Sequence, residues 1–272
     1  MSFRAVDDWG PISDQVCWSL FAFTLVVVIL RIGCRITIRN GQYAIGLDDY
    51  VTIFCTIVLF VTCILMSIGT RNGLGRRMAT LEPEMVPEAL RWNIIISGVL
   101  VWAFSLPKFA IVAILKRILN YGTKTSLLFW SLAITSQASI LAISVWWWVQ
   151  CTPVEYGWDK TIEGGSCASL DILVNMGYFI SAYTAFLDLF FALYPIPFVM
   201  RLNMTLRKRI AVSISLGLSS LAFIVSVYKL AIFGQAFREL EDDPTYPAPY
   251  LNMLGVAEGC ILIICASLPT LG

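Results

Sequence analysis

Residues 188–209 read D-L-F-F-A-L-Y-P-I-P-F-V-M-R-L-N-M-T-L-R-K-R. One acid, Asp188, lies inside an apolar run, Pro195 and Pro197 end that run, and Arg201, Arg207, Lys208 and Arg209 close it. A charge inside an apolar run marks a candidate site, and a basic cluster beside such a run marks one side of a membrane. The stretch therefore reads as a bilayer-crossing helix that carries a site within it and its orientation at its end.

The rest of the chain agrees. Of its 272 residues, 58% are hydrophobic and only 14% charged, and the mean hydropathy is +0.78. That is too apolar for a soluble globular domain and describes a polytopic membrane protein. A hydrocarbon core about 30 Å thick needs roughly 20 helical residues at about 1.5 Å each. By that ruler the expected spans are 16–38, 47–69, 92–115, 126–149, 171–200, 210–237 and 250–271. No repeat period or low-complexity run separates them, so residues 1–272 are expected to form one all-α, seven-helix transmembrane domain, with the chain stopping where the seventh helix ends.

Lysine and arginine gather after odd-numbered spans: Arg31, Arg35 and Arg39, then Lys116, Arg117 and Lys124, then the cluster at 201–209. The positive-inside rule makes these connections cytoplasmic, with the N-terminus outside and the C-terminus inside. Acids gather in the other connections, as Glu82, Glu84 and Glu88, as Glu155, Asp159 and Glu163, and as Glu239, Glu241, Asp242 and Asp243; Arg71, Arg76 and Arg77 run against the trend. The sequon Asn203-Met204-Thr205 would then face the cytoplasm, where it receives no sugar. Residues 1–15 lack a basic n-region, so the first span is expected to be retained as an anchor in the plasma membrane or endoplasmic reticulum. The run Trp146, Trp147 and Trp148 is expected to form an interfacial belt.

Several chemistries drop out. The chain contains no histidine, which removes His-based triads, general bases, haem ligation and metal ligation. Its eight cysteines form no C-x-x-C pair, and no metal or other cofactor is expected. Cys151 and Cys167 flank the loop after the fourth span, on the oxidising side in this orientation. A disulfide is expected there, worth about 3 kcal/mol by loop entropy. The net charge of +1 by itself says nothing about partners; no nucleic acid is expected, and the partner implied by the hydropathy is the lipid bilayer. No cytoplasmic protein partner can be identified.

Four ionisable residues lie inside spans: Lys108, Asp188, Lys229 and Glu258. Each is costly alone in hydrocarbon and needs a partner. Counted from the outer boundary, Lys108 and Asp188 lie roughly 20 and 22 Å deep, and Lys229 and Glu258 roughly 10–12 Å deep. Two pairs are expected, an inner Lys108 with Asp188 and an outer Lys229 with Glu258. They serve either as interhelical ties or as the lining of a cavity for a small apolar ligand or metabolite. Pro107 is expected to kink the third span, and the acidic pair Asp48 and Asp49 to join a cytoplasmic ion-pair network near Arg39.

Taken in order, G-L-D-D-Y (46–50), N-G-L-G-R-R (72–77), L-P-K-F-A-I-V-A-I-L-K-R-I (106–118), Q-C-T-P-V-E-Y-G-W-D (150–159) with G-S-C (165–167), D-L-F-F-A-L-Y-P-I-P (188–197) and A-E-G-C-I-L-I-I-C-A-S-L-P-T-L (257–271) resemble the fungal rhodopsin-domain family of seven-span membrane proteins. The resemblance implies Asp48, Asp49, Gly73, Gly75, Lys108, Cys151, Trp158, Cys167, Asp188, Pro195, Pro197, Glu258 and Pro269 as pattern positions. Tyr50, Arg77 and Lys229 depart from it, where the family usually has tryptophan, often histidine and commonly arginine. The family's Cys-rich extracellular module and long cytoplasmic tail are not present in this sequence, which tells against signalling through a tail. Members resemble receptor-like surface sensors, and others, satratoxin-cluster-type proteins included, belong to secondary-metabolite clusters.

Three functions follow as expectations. The first is a receptor-like or accessory membrane protein of a metabolite pathway; the absence of a lysine from the last span argues against retinal. The second is an intramembrane acid-catalysed cyclase or isomerase in which Asp188 or Glu258 donates a proton to an apolar substrate. The third is a small-solute transporter, for which no inverted repeat speaks.

Overall fold

The computed structural model describes residues 8–38, 46–119, 122–159, 161–194, 196 and 206–268. Its helices are α1 (Gly10–Ile38), α2 (Leu47–Arg71), α3 (Met85–Ser105), α4 (Pro107–Leu119), α5 (Thr123–Val149), α6 (Leu170–Leu193), α7 (Leu206–Asp242) and α8 (Ala248–Ser267). A two-stranded ladder, β1 (Cys151–Thr152) with β2 (Ser166–Cys167), lies between α5 and α6. Seven stretches are long and apolar enough to cross a membrane, with α3 and α4 together supplying the third. The protein is an all-α, seven-helix, multi-pass membrane protein.

Most helices show lipid one face and neighbours another, because in hydrocarbon a helix already satisfies its own backbone. The exception is α8, whose apolar window is 67% buried. It packs against α1, α2, α3, α4 and α7, while α6 packs against α7 and α5. A residue placed on α8 is therefore within reach of most of the bundle.

The span limits differ from those counted on hydropathy, each for a physical reason. The helix of the sixth span, α7, extends to 37 residues, since the flanking R-K-R and R-E-L-E are good helix formers outside the apolar window. The first starts at Gly10, where Asp8 Oδ1 accepts from the Gly10 N–H at 2.8 Å. The third breaks between Ser105 and Pro107. Proline has no N–H to donate, and its ring would strike the carbonyl four residues back, that of Ala103. There α8 presents Gly259, on which a Cβ would lie 3.0 Å from the Ala103 oxygen. Pro195, Pro197, Arg39, Arg201, the sequon at Asn203 and Pro269 lie outside the described residues, as do the side chains of Arg117, Arg207, Lys208 and Arg209.

At one end of the bundle N-G-L-G takes two residues into left-handed backbone, Gly73 at φ 94° and Gly75 at φ 106°, which glycine alone adopts without strain. Gly75 accepts from the Trp9 N–H and donates to the Thr245 carbonyl, both at 3.0 Å. It thereby ties together the segments before α1, after α2 and after α7. Two of the arginines that run against the charge trend are held here, Arg76 by Asp8 at 3.3 Å and Arg77 over the Tyr246 ring at 5.0 Å.

Candidate functional site

Pro107 begins α4, so Lys108 sits just past the break, opposite the acid-bearing turn of α8. Its Nζ donates to Asp188 Oδ1 at 2.6 Å and lies 4.0 Å from Glu258 Oε1. Glu258 Oε2 accepts from Lys229 Nζ at 2.5 Å, and Asp188 Oδ2 accepts from the Ser226 hydroxyl at 2.9 Å. The four charges thus form one chain, Asp188–Lys108–Glu258–Lys229, running from α6 through α4 and α8 to α7. Both expected pairs are present, Lys108 with Asp188 and Lys229 with Glu258, and the 4.0 Å approach of Lys108 to Glu258 Oε1, too long for a hydrogen bond, sets them side by side. Glu258 is fully buried, and Lys108 and Asp188 nearly so. Two acids and two lysines leave the chain with no net charge, the condition under which such groups are tolerated in hydrocarbon.

Beside this chain lies a cavity of about 150 Å³. Its walls are mostly apolar and aromatic, with Leu100, Phe104, Ile143, Trp147 and Phe233 among them. Of the four charges only Lys229 lines it, with Nζ 4.3 Å from the Phe104 ring centre, in cation–π range. Asn93 and Asn252 also line it. Asn93 Oδ1 and Asn252 Nδ2 are buried without a hydrogen-bond partner among the described residues, and Asn252 as a whole is 5% exposed. Such atoms are uncommon in a native interior and mark where something else completes the bonding. The cavity thus offers a half-open apolar cleft with a few polar points, the usual character of a small-molecule site.

Two other groups stand apart from it. At the far end of α1, Arg31 is 0% exposed. It donates to Asp49 Oδ1 at 2.9 Å and Asp48 Oδ2 at 2.7 Å, and to the Ala266 carbonyl on α8. Arg35 binds both acids as well. Asp48 and Asp49 are therefore held by Arg31 and Arg35, with Arg39 outside the described residues. Arg31 is an interior tie among α1, α2 and α8; it does not stand free as a loop charge, because it shares the helix face of Arg35 one turn deeper in the bundle.

On the loop after α5, Cys151 and Cys167 face each other across the β1–β2 ladder and are joined by a disulfide. The Thr161 hydroxyl and backbone N–H bind Asp159 Oδ1 at 2.7 and 3.0 Å, which holds that carboxyl below the usual range. Of the Trp run, Trp148 is exposed whereas Trp147 lines the cavity. Successive helical residues point to different sides, so the three rings do not act as one belt.

Sequence reasoning passed over Asn93, Asn252 and Ser226, and placed Trp147 in an interfacial belt where it lines the cavity. The two asparagines carried a signal, being amides within or at the edge of apolar runs; Ser226 carried none that set it apart from its neighbours.

Fold and site together define a seven-helix membrane protein with a neutralised charge network beside a half-open, mainly apolar cavity. Residues 30–272 match the fungal rhodopsin domain, and the chain belongs to that family. It is 32% identical over 192 residues to Fugralins biosynthesis cluster protein 2 of Gibberella zeae. That alignment covers 62% of this chain and 46% of the relative, so the chain spans less than half of the curated protein it matches. No solved structure matches it.

Proposed function

We propose that the protein is a receptor-like or accessory membrane component of a secondary-metabolite pathway. It holds a small, mainly apolar metabolite in the cavity beside Lys229, without retinal. The observation that carries this reading is the buried Asn252 Nδ2, without a hydrogen-bond partner among the described residues, on the wall of a mainly apolar cavity. The similarity to a biosynthesis cluster protein supports the pathway. In the proposed orientation the disulfide loop and the cavity end of the bundle face outward, and the Arg31–Asp48–Asp49 cluster faces the cytoplasm.

The cyclase or isomerase reading asks for a carboxyl that is free and that meets the substrate. Asp188 and Glu258 both accept hydrogen bonds from lysines, and neither is among the cavity-lining residues. The four charges are better explained as the ties that hold the cavity's helices together.

The test is deletion in the native host, complemented by the unchanged chain or by Asn252→Leu. Metabolite profiles are then compared with transcript levels of the neighbouring biosynthetic genes. An accessory role predicts a changed product profile at unchanged transcript levels, and a receptor role predicts that both change. A deletion that moves neither contradicts the proposal. Purified protein that converts an apolar polyene or terpenoid by itself, with the conversion lost in Asp188→Asn or Glu258→Gln, would establish the enzyme instead.

A further inference from the structure

The cavity's polar points restrict the chemistry of what it takes. This inference rests on the reading of the cavity as a metabolite site. Lys229 is the cation that lines it, and its ammonium is already matched by Glu258 at 2.5 Å. Glu258 in turn lies in a chain of two acids and two lysines whose charge sums to zero. A ligand with a formal charge, of either sign, would leave one unit uncompensated inside hydrocarbon, a cost that an ion pair offsets only when every member is matched. A wholly apolar ligand would leave Asn93 Oδ1 and Asn252 Nδ2 as they are now, buried with no partner among the described residues. Ser97 and Ser181 line the cavity too, but the lining atoms buried without such a partner are one acceptor and one donor, and their complement is a neutral group that both donates and accepts. A hydroxyl does this with one oxygen and suits either orientation of the two amides.

We propose that the ligand is an uncharged, largely apolar alcohol. Its hydroxyl oxygen accepts from Asn252 Nδ2, and from a Lys229 N–H not used by Glu258, while its proton goes to Asn93 Oδ1. The chain or ring system lies against Leu100, Phe104 and Phe233.

The test uses the full chain in lipid nanodiscs and four probes of equal length. Each carries one diazirine at mid-chain and ends in a hydroxyl, a carboxylate, a quaternary ammonium or a plain methyl group. After photolysis, peptide mapping scores saturable label on α3, α6 and α8 residues that line the cavity, apart from label on lipid-facing positions. The alcohol is expected to label the cavity at least tenfold better than the carboxylate or the ammonium. It is expected to exceed the methyl probe by about threefold to tenfold, the scale of one net hydrogen bond. Asn252→Leu should erase the advantage over the methyl probe and leave cavity labelling by that probe in place. The head-group comparison on the unchanged chain stands whether or not the variant folds.

If the carboxylate or the ammonium labels the cavity as well as the alcohol does, this inference falls and the cavity remains a ligand site. Equal labelling by alcohol and methyl probes has the same consequence. If no probe labels the cavity, both this inference and the reading beneath it fall.

Discussion

Glu258 shows most clearly how one residue is held. It is fully buried, with one oxygen 2.5 Å from Lys229 and the other 4.0 Å from Lys108. Deleting one member of a buried ion pair strands the other, at about 3–5 kcal/mol, whereas replacing both by apolar groups of similar volume is often neutral. Lys108→Met and Asp188→Leu are each expected to destabilise the protein by about that amount, and the double variant to recover most of it. Denaturation of detergent-solubilised protein would measure this; a double variant as unstable as the sum of the singles would contradict the tie. Four charges in apolar runs are conspicuous in any hydropathy reading. Depth counted along the helices also sorts them into the two pairs that form; the 4.0 Å approach of Lys108 to Glu258 is not legible, because it depends on how far a lysine reaches and on the rotation of α8, neither of which a count of residues contains. Arg31 shows the converse: beside Arg35 it reads as a loop charge, but on the same helix face one turn deeper it reaches Asp48, Asp49 and the Ala266 carbonyl in the interior.

At the scale of elements, the decisive feature is the break between α3 and α4 against the smooth face of α8. Pro107 frees the Ala103 carbonyl from its helical bond, and Gly259 leaves room for it, since a Cβ there would sit 3.0 Å from that oxygen and 3.4 Å from its carbon. The neighbour is backbone and cannot rotate away. Gly259→Ala is expected to push α8 off α3 and cost about 1–3 kcal/mol, the range for overpacking a close interface. Because Glu258 is adjacent, the same change should weaken its contact with Lys108. Thermal melts of Gly259→Ala and of Gly98→Ala, where an added Cβ meets nothing within 4 Å, separate close approach from helix propensity. A Gly259→Ala melt no lower than that of Gly98→Ala would remove the argument. Pro107 announced a kink in the sequence; its partner on α8 was unreadable, because a glycine in an apolar helix looks the same whether it faces lipid or a neighbour.

For the whole molecule, the seven helices followed from hydropathy alone, since a bilayer of fixed thickness imposes length on any helix that crosses it. Helix ends followed less well, as α7 extends beyond the apolar window at both ends, and α8 gave no sequence sign that it would be the central helix. The proposed orientation has its own check. With the disulfide loop outside or lumenal, a membrane-impermeant maleimide applied after mild reduction to sealed vesicles with the cytoplasmic face outward should label Cys151 and Cys167 only once detergent opens the vesicles; label without detergent would reverse the topology.

The central claim is that the cavity beside Lys229 holds a neutral, largely apolar metabolite. Its most direct measurement is mass spectrometry of small molecules co-purifying with the protein from its native host, for the unchanged chain and for Asn252→Leu side by side. The account predicts an uncharged, hydroxyl-bearing compound retained near one per protein by the unchanged chain and depleted by about threefold or more in the variant. Identical small-molecule content in the two preparations, or a retained compound that carries a formal charge, would contradict it.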